Sequence, residues 1–154
     1  MNRTLSIPEW HRLAQEGTKI PVRIPLMGWS MFPLVRYNKD LVTVVPIDNQ
    51  LQIGDIVLFV QAEDKYVMHR VWEIKDQSIL TWGDNCLNPD NWMSTEDIWG
   101  KVVLIERGKR KIKTNPKKGI KWARFWHWAG KYFQICYKYY SAVKCRIKNE
   151  GVDR

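Results

Sequence analysis

Of the side chains able to do covalent chemistry, Ser30 has the most suggestive setting. It lies in Gly28-Trp29-Ser30-Met31-Phe32-Pro33, where a loosely alternating run, Ile20 to Met27, meets a glycine. A proline three residues past the serine blocks any continuing ladder, so the hydroxyl is expected on a tight bend beyond a strand end. A serine so placed needs a base, a group that orients the base, and backbone donors for an oxyanion. The histidines are His11, His69 and His127. His11 falls in a helical segment and His127 on a basic stripe, which leaves His69, in Tyr66-Val67-Met68-His69-Arg70-Val71, within a central β-like run. Alone, a strand histidine is more often structural than catalytic. Downstream, Thr81-Trp82-Gly83-Asp84-Asn85 ends a strand in a glycine turn, and Asp90 follows in Asn88-Pro89-Asp90. Either carboxylate, Asp84 or Asp90, can fix the imidazole and stabilise the imidazolium formed when Ser30 gives up its proton.

These residues need a scaffold. Ser6-Ile7-Pro8-Glu9 reads as a helix start, with Ser6 as cap, and the helix should end near Gly17. Ile7, Trp10, Leu13 and Ala14 recur at helical spacing and would lay it on the core as a lid. Six short β-like runs follow: Ile20 to Met27, Leu41 to Ile47, Asp55 to Gln61, Tyr66 to Ile74, Ser78 to Trp82 and Ile98 to Ile105. With no long helix between them, they predict a mainly β fold: a bent antiparallel sheet or partly closed barrel.

The net charge of +9 is unevenly spread. Residues 1–106 hold 10 Lys+Arg against 14 Asp+Glu, whereas residues 107–154 hold 15 against 2. A basic appendage on a mildly acidic body argues against a nucleic-acid-binding body. The expected organisation is an N-terminal helix over 1–19, a β domain over 20–108, a basic linker over 109–118, an amphipathic helix over 119–148 and a tail over 149–154. Lys121, Arg124, His127, Lys131, Gln134 and Lys138 fall on one stripe of that helix, against a wide aromatic face that includes Trp122, Phe125, Trp126 and Trp128. Such a helix suits an anionic membrane surface or packing on protein, and nucleic acid less well.

Three cysteines, Cys86, Cys136 and Cys145, without C-x-x-C spacing, suggest neither a disulfide framework nor a zinc site. No metal or other cofactor is called for. There is no signal-peptide-like apolar region and no run long enough to span a bilayer, so the expected location is cytoplasmic, with peripheral attachment to the inner face of the membrane as the option the tail opens.

Taken together, Gly28 to Pro33, Ile53-Gly54-Asp55-Ile56-Val57, His69-Arg70-Val71, Gly83-Asp84-Asn85 with Asp90, and Gly100-Lys101-Val102-Val103 resemble, in order, the boxes of the type I signal peptidases and the related self-cleaving repressors. They cover roughly residues 20–108. Histidine where most bacterial members have lysine is similar to the Ser-His branch found in endoplasmic-reticulum, archaeal and sporulation-type enzymes. The resemblance implies the signal-peptidase fold, with Ser30 as nucleophile, His69 as base, Asp90 as orienting acid and Asp84 as an alternative or supporting acid. It also implies a leader-bearing peptide bound as an added strand. Position 28 is glycine where lysine-type bacterial members place a serine, which leaves the Ser30 N–H as the chief oxyanion donor. The apolar span usual just before the serine box is missing there, which points to a soluble leader or propeptide as substrate, or to action beside a membrane transporter with the basic aromatic helix holding the chain in place. A non-catalytic peptide-binding module of the same fold and a membrane-surface adaptor are the alternatives.

Overall fold

The computed structural model describes residues 6–47, 50–61 and 65–130. Helix α1 spans Ile7–Gln15 and begins with the expected capping box, Ser6 and Glu9 exchanging side-chain-to-backbone hydrogen bonds. Eight strands follow: β1 (Val22–Pro25), β2 (Asp40–Val45), β3 (Ile56–Gln61), β4 (Lys65–Lys75), β5 (Ser78–Trp82), β6 (Met93–Ser94), β7 (Ile98–Arg107) and β8 (Arg110–Lys113). They form one antiparallel sheet in the order β1-β2-β7-β3-β4-β5-β6, with β8 added to β7.

The sheet is bent but, among the described residues, not closed, so the partly closed barrel is corrected to an open sheet. The end strands explain why. β1 has only four residues, and Pro25 at its end has no N–H to donate, while β6 has two. Register shifts at Thr43/Val44, Leu58/Phe59 and Val71/Glu73 supply the bending.

β3 is covered on both faces, which accounts for its unbroken apolar run. Ile56 and Leu58 join one cluster with Trp10, Val42, Val44, Val102 and Ile105, while Val57 and Phe59 join another with Val67, Val71 and Ile79. Helix α1 lies on the first cluster through Trp10, whose indole donates to the Ile20 carbonyl at 2.7 Å. His11 stacks on Trp99 with ring centroids 3.9 Å apart, and burial lowers its pKa from 6.5.

Within the stretch expected as an exposed linker, 109–118, the structure differs. Gly108, at φ +55, opens a two-residue hairpin from Arg107 to Arg110, and β8 pairs with the last turn-ward residues of β7. Ile112 is its apolar anchor against the first cluster. The C-terminal helix, α2, occupies 116–130 of the described residues and so starts three residues before the expected Gly119. Asn115 caps it, accepting from the Lys118 N–H at 3.0 Å, with Pro116 as the first helical residue. Residues 131–148 of the expected helix lie outside the described residues. The chain divides into two compact units between Lys121 and Trp122, and the sheet and the site belong to the first.

Candidate active site

Consecutive residues on a strand face opposite sides, and β4 uses this at its centre. His69 points to one side and Arg70 to the other. Arg70, with 2% of its side chain exposed, donates from Nε and Nη2 to the two oxygens of the fully buried Asp84 at 2.8 and 2.7 Å, and from Nη1 to the Gly54 carbonyl at 2.9 Å. This fork ties the turn after β5 to the strand that carries His69.

Asp84 is therefore committed to Arg70. The carboxylate on His69 is Asp90, whose Oδ2 lies 2.6 Å from Nδ1. The same oxygen accepts from the Thr81 hydroxyl at 2.6 Å, and the Asp90 N–H donates to the Thr81 carbonyl at 2.9 Å. Thr81 is the participant sequence reasoning missed, since a buried threonine in a β run reads as packing. With Nδ1–H donated to Asp90, the neutral ring keeps its lone pair on Nε2.

Burial is the largest single influence on His69 and disfavours its charge. Hydrogen bonds to Asp90 and Cys86, and the charges of both, outweigh it and raise the imidazole from 6.5 to about 9. Near neutral pH the ring thus mostly holds a proton.

Ser30 sits on the expected bend. Gly28 adopts φ +150, open to glycine and strained for other residues, and the chain turns with the Phe32 N–H donating to the Trp29 carbonyl. Met31 is fully buried and anchors the turn. Farther along, Arg107 clamps Asp40 and the Leu34 carbonyl, which braces the loop between β1 and β2. Burial pushes the Asp40 carboxyl up, but the Arg107 hydrogen bond, the Arg36 N–H and both guanidinium charges bring it below the usual range.

Gly83 is where these parts meet. A Cβ there would fall 2.6 Å from Cys86 Sγ and 2.9 Å from both His69 Nε2 and the Ser30 carbonyl oxygen. The last two atoms are thus within twice that distance of each other, and only glycine fits between them. The Asn85 N–H donates to the Ser30 carbonyl at 2.7 Å, which fastens the turn to the serine segment. The Ser30–His69 hydrogen bond of a formed triad is not made. Nε2 faces Cys86 Sγ at 3.9 Å, and Ser30 Oγ has no hydrogen bond among the described residues. The Ser30 N–H also donates to nothing among them.

Ser30, His69 and Cys86 line one groove of about 440 Å³, with Met27, Trp29 and Tyr66 among its walls. A larger hollow, about 650 Å³, lies around Leu51, Ile74 and Glu96, but has neither imidazole nor thiol on its walls. The groove runs between two strand edges. β1 pairs only with β2, and residues 65–69 of β4 pair only with β3 among the described residues.

No family model and no curated protein matches this chain. What the site does must be read from its geometry and the order of its motifs. Among the described residues there is no cluster of three or more His, Cys, Asp or Glu side chains suited to a metal, and no helix is long and apolar enough to cross a membrane.

Proposed function

We propose that this chain is a serine endopeptidase of the signal-peptidase type that removes a leader or propeptide. The observation that carries the reading is the buried His69–Asp90 contact at 2.6 Å, with the opposite ring nitrogen at the groove that Ser30 lines. An extended peptide would pair with the free strand edges and bring its scissile carbonyl to Ser30. Ser30 Oγ attacks as His69 Nε2 takes its proton, and the Ser30 N–H supports the developing oxyanion. His69 then protonates the leaving amine and activates water to release the acyl group. Oγ must first come within hydrogen-bond distance of Nε2, a tightening that substrate binding commonly supplies. Asp84 and Arg70 act at one remove, holding the turn that abuts both Ser30 and His69. A fluorophosphonate reagent tests this: one adduct on Ser30 is expected, lost in Ser30→Ala. Absence of reaction in the folded protein would leave the non-catalytic peptide-binding module.

The second reading, attachment to an anionic membrane surface through α2, is favoured by Trp122, Phe125 and Trp128, which are 40%, 54% and 60% exposed and neighbour one another in tilted ring contacts. Flotation with phosphatidylglycerol vesicles should carry the full chain upward, and Trp122→Ser/Phe125→Ser/Trp128→Ser should abolish it. Equal flotation of both chains would remove α2 from that role.

A further inference from the structure

Cys86 is drawn into this groove by groups that the hydrolysis above does not use. Its backbone is fixed on both sides: the N–H donates to the Gly83 carbonyl at 3.0 Å, and the carbonyl accepts from the Trp82 indole at 3.0 Å. The turn has no room for a side chain at Gly83, so Sγ and Nε2 approach across a bare backbone. His69 is 93% buried by the measure of its 7% exposure, and its Nε2 has Cys86 Sγ as its partner among the described residues. Its far nitrogen is held by Asp90 at 2.6 Å. Thiol, imidazole and carboxylate therefore stand in series, and the thiol is half-buried on the wall of an open groove. Thiol nucleophiles in enzymes are activated in this way, by a neighbouring imidazole that a third group orients.

We propose that Cys86 is a second nucleophile served by His69, and a modification site for carbon electrophiles that enter the groove. Nε2 takes the Sγ proton, the thiolate forms a bond to the electrophilic carbon, and the leaving group departs with its bonding pair. With iodoacetamide the S–C bond forms, the C–I bond breaks, iodide leaves, and the proton remains on the imidazolium held by Asp90. The added group then stands in front of Nε2, where the Ser30 hydroxyl must come. The reactivity rests on the Cys86–His69–Asp90 series alone; only this blocking effect depends on Ser30 being the nucleophile.

The test uses the full chain carrying Cys136→Ser and Cys145→Ser, so that Cys86 is the sole thiol. Iodoacetamide at pH 9, where about half of His69 is in the base form, is followed by mass spectrometry of the carbamidomethylated protein. The rate should fall at least about tenfold in His69→Gln, because general-base help is worth that much or more. Asp90→Asn is the second variant and should slow the reaction too, since an amide at Nδ1 favours the tautomer with Nε2 protonated. Equal rates in the parent chain and in whichever variant keeps its circular dichroism spectrum would overturn the proposal and make Cys86 an ordinary thiol. Carbamidomethylation should also prevent fluorophosphonate labelling of Ser30, and undiminished labelling would overturn the blocking effect. Failure of the untreated chain to label would refute the serine peptidase reading, yet leave the iodoacetamide rates to decide on Cys86.

Discussion

Asp90→Asn should lower kcat/KM for peptide hydrolysis by about 10⁴ above pH 9 and by about 10² at pH 7. Two effects oppose each other. An amide in place of the carboxylate can donate to Nδ1, which moves the ring hydrogen to Nε2 and removes the lone pair that must accept the Ser30 proton. Loss of that orientation costs about four powers of ten in a serine triad. Against it, the wild-type imidazole titrates at about 9 because Asp90 and Cys86 hold it charged. At pH 7 the base form is then only about one part in a hundred, so removing the Asp90 charge can return at most about 10² there. Wild-type activity should climb with pH to a midpoint near 9, and Asp90→Asn should have a lower midpoint and a much lower plateau. Superimposable pH profiles in wild type and Asp90→Asn would remove Asp90 from the orienting role.

The same raised pKa has a sign for stability. A group whose folded value exceeds its unfolded one stabilises the fold fully below the unfolded pKa, here 6.5. That contribution is lost as pH rises through about 9, so the pH range of highest activity is where this stabilisation has faded.

Arg70→Met should destabilise the fold by about 3–5 kcal/mol, the usual cost of leaving a buried partner charge uncompensated. Asp84 has no side-chain exposure through which water could replace the guanidinium, and the Gly54 carbonyl would lose its donor as well. Arg70→Met/Asp84→Leu should recover most of the loss, because an apolar pair of similar volume avoids the desolvation that the ion pair bears. Urea unfolding followed by tryptophan fluorescence measures both. If the double variant is as unstable as the single one, packing of the fork against α2, where Gly119 lies against Arg70 Nη1, is the main contribution.

The bend at Ser30 was legible in the sequence because glycine and proline bracket it, and His69 because it was the one histidine in a strand. The choice between Asp84 and Asp90 was not legible from spacing, since both follow the same strand, and only the family resemblance favoured Asp90. Strand alternation decides it: Arg70 must face away from His69, and a buried guanidinium claims the nearer carboxylate, leaving Asp90 to the imidazole. β8 was hidden by its charges. Three basic residues around Ile112 read as linker, yet an edge strand needs only one apolar contact when its backbone pairs with β7. The start of α2 was written in Asn115-Pro116, a cap followed by a proline already set for the first turn, but the basic composition masked it. Cys86 carried no spacing signal at all. Its place beside Nε2 comes from a tertiary approach across Gly83 that no local pattern encodes.

The most direct test of the central claim is the rate of fluorophosphonate labelling at Ser30, located by mass spectrometry, in wild type and His69→Ala. The expected result is a single adduct on Ser30 that forms faster as pH approaches 9 and is slowed at least about a hundredfold in His69→Ala, in line with general-base assistance. Labelling at the same rate without the imidazole, or an adduct on a residue other than Ser30, would contradict it.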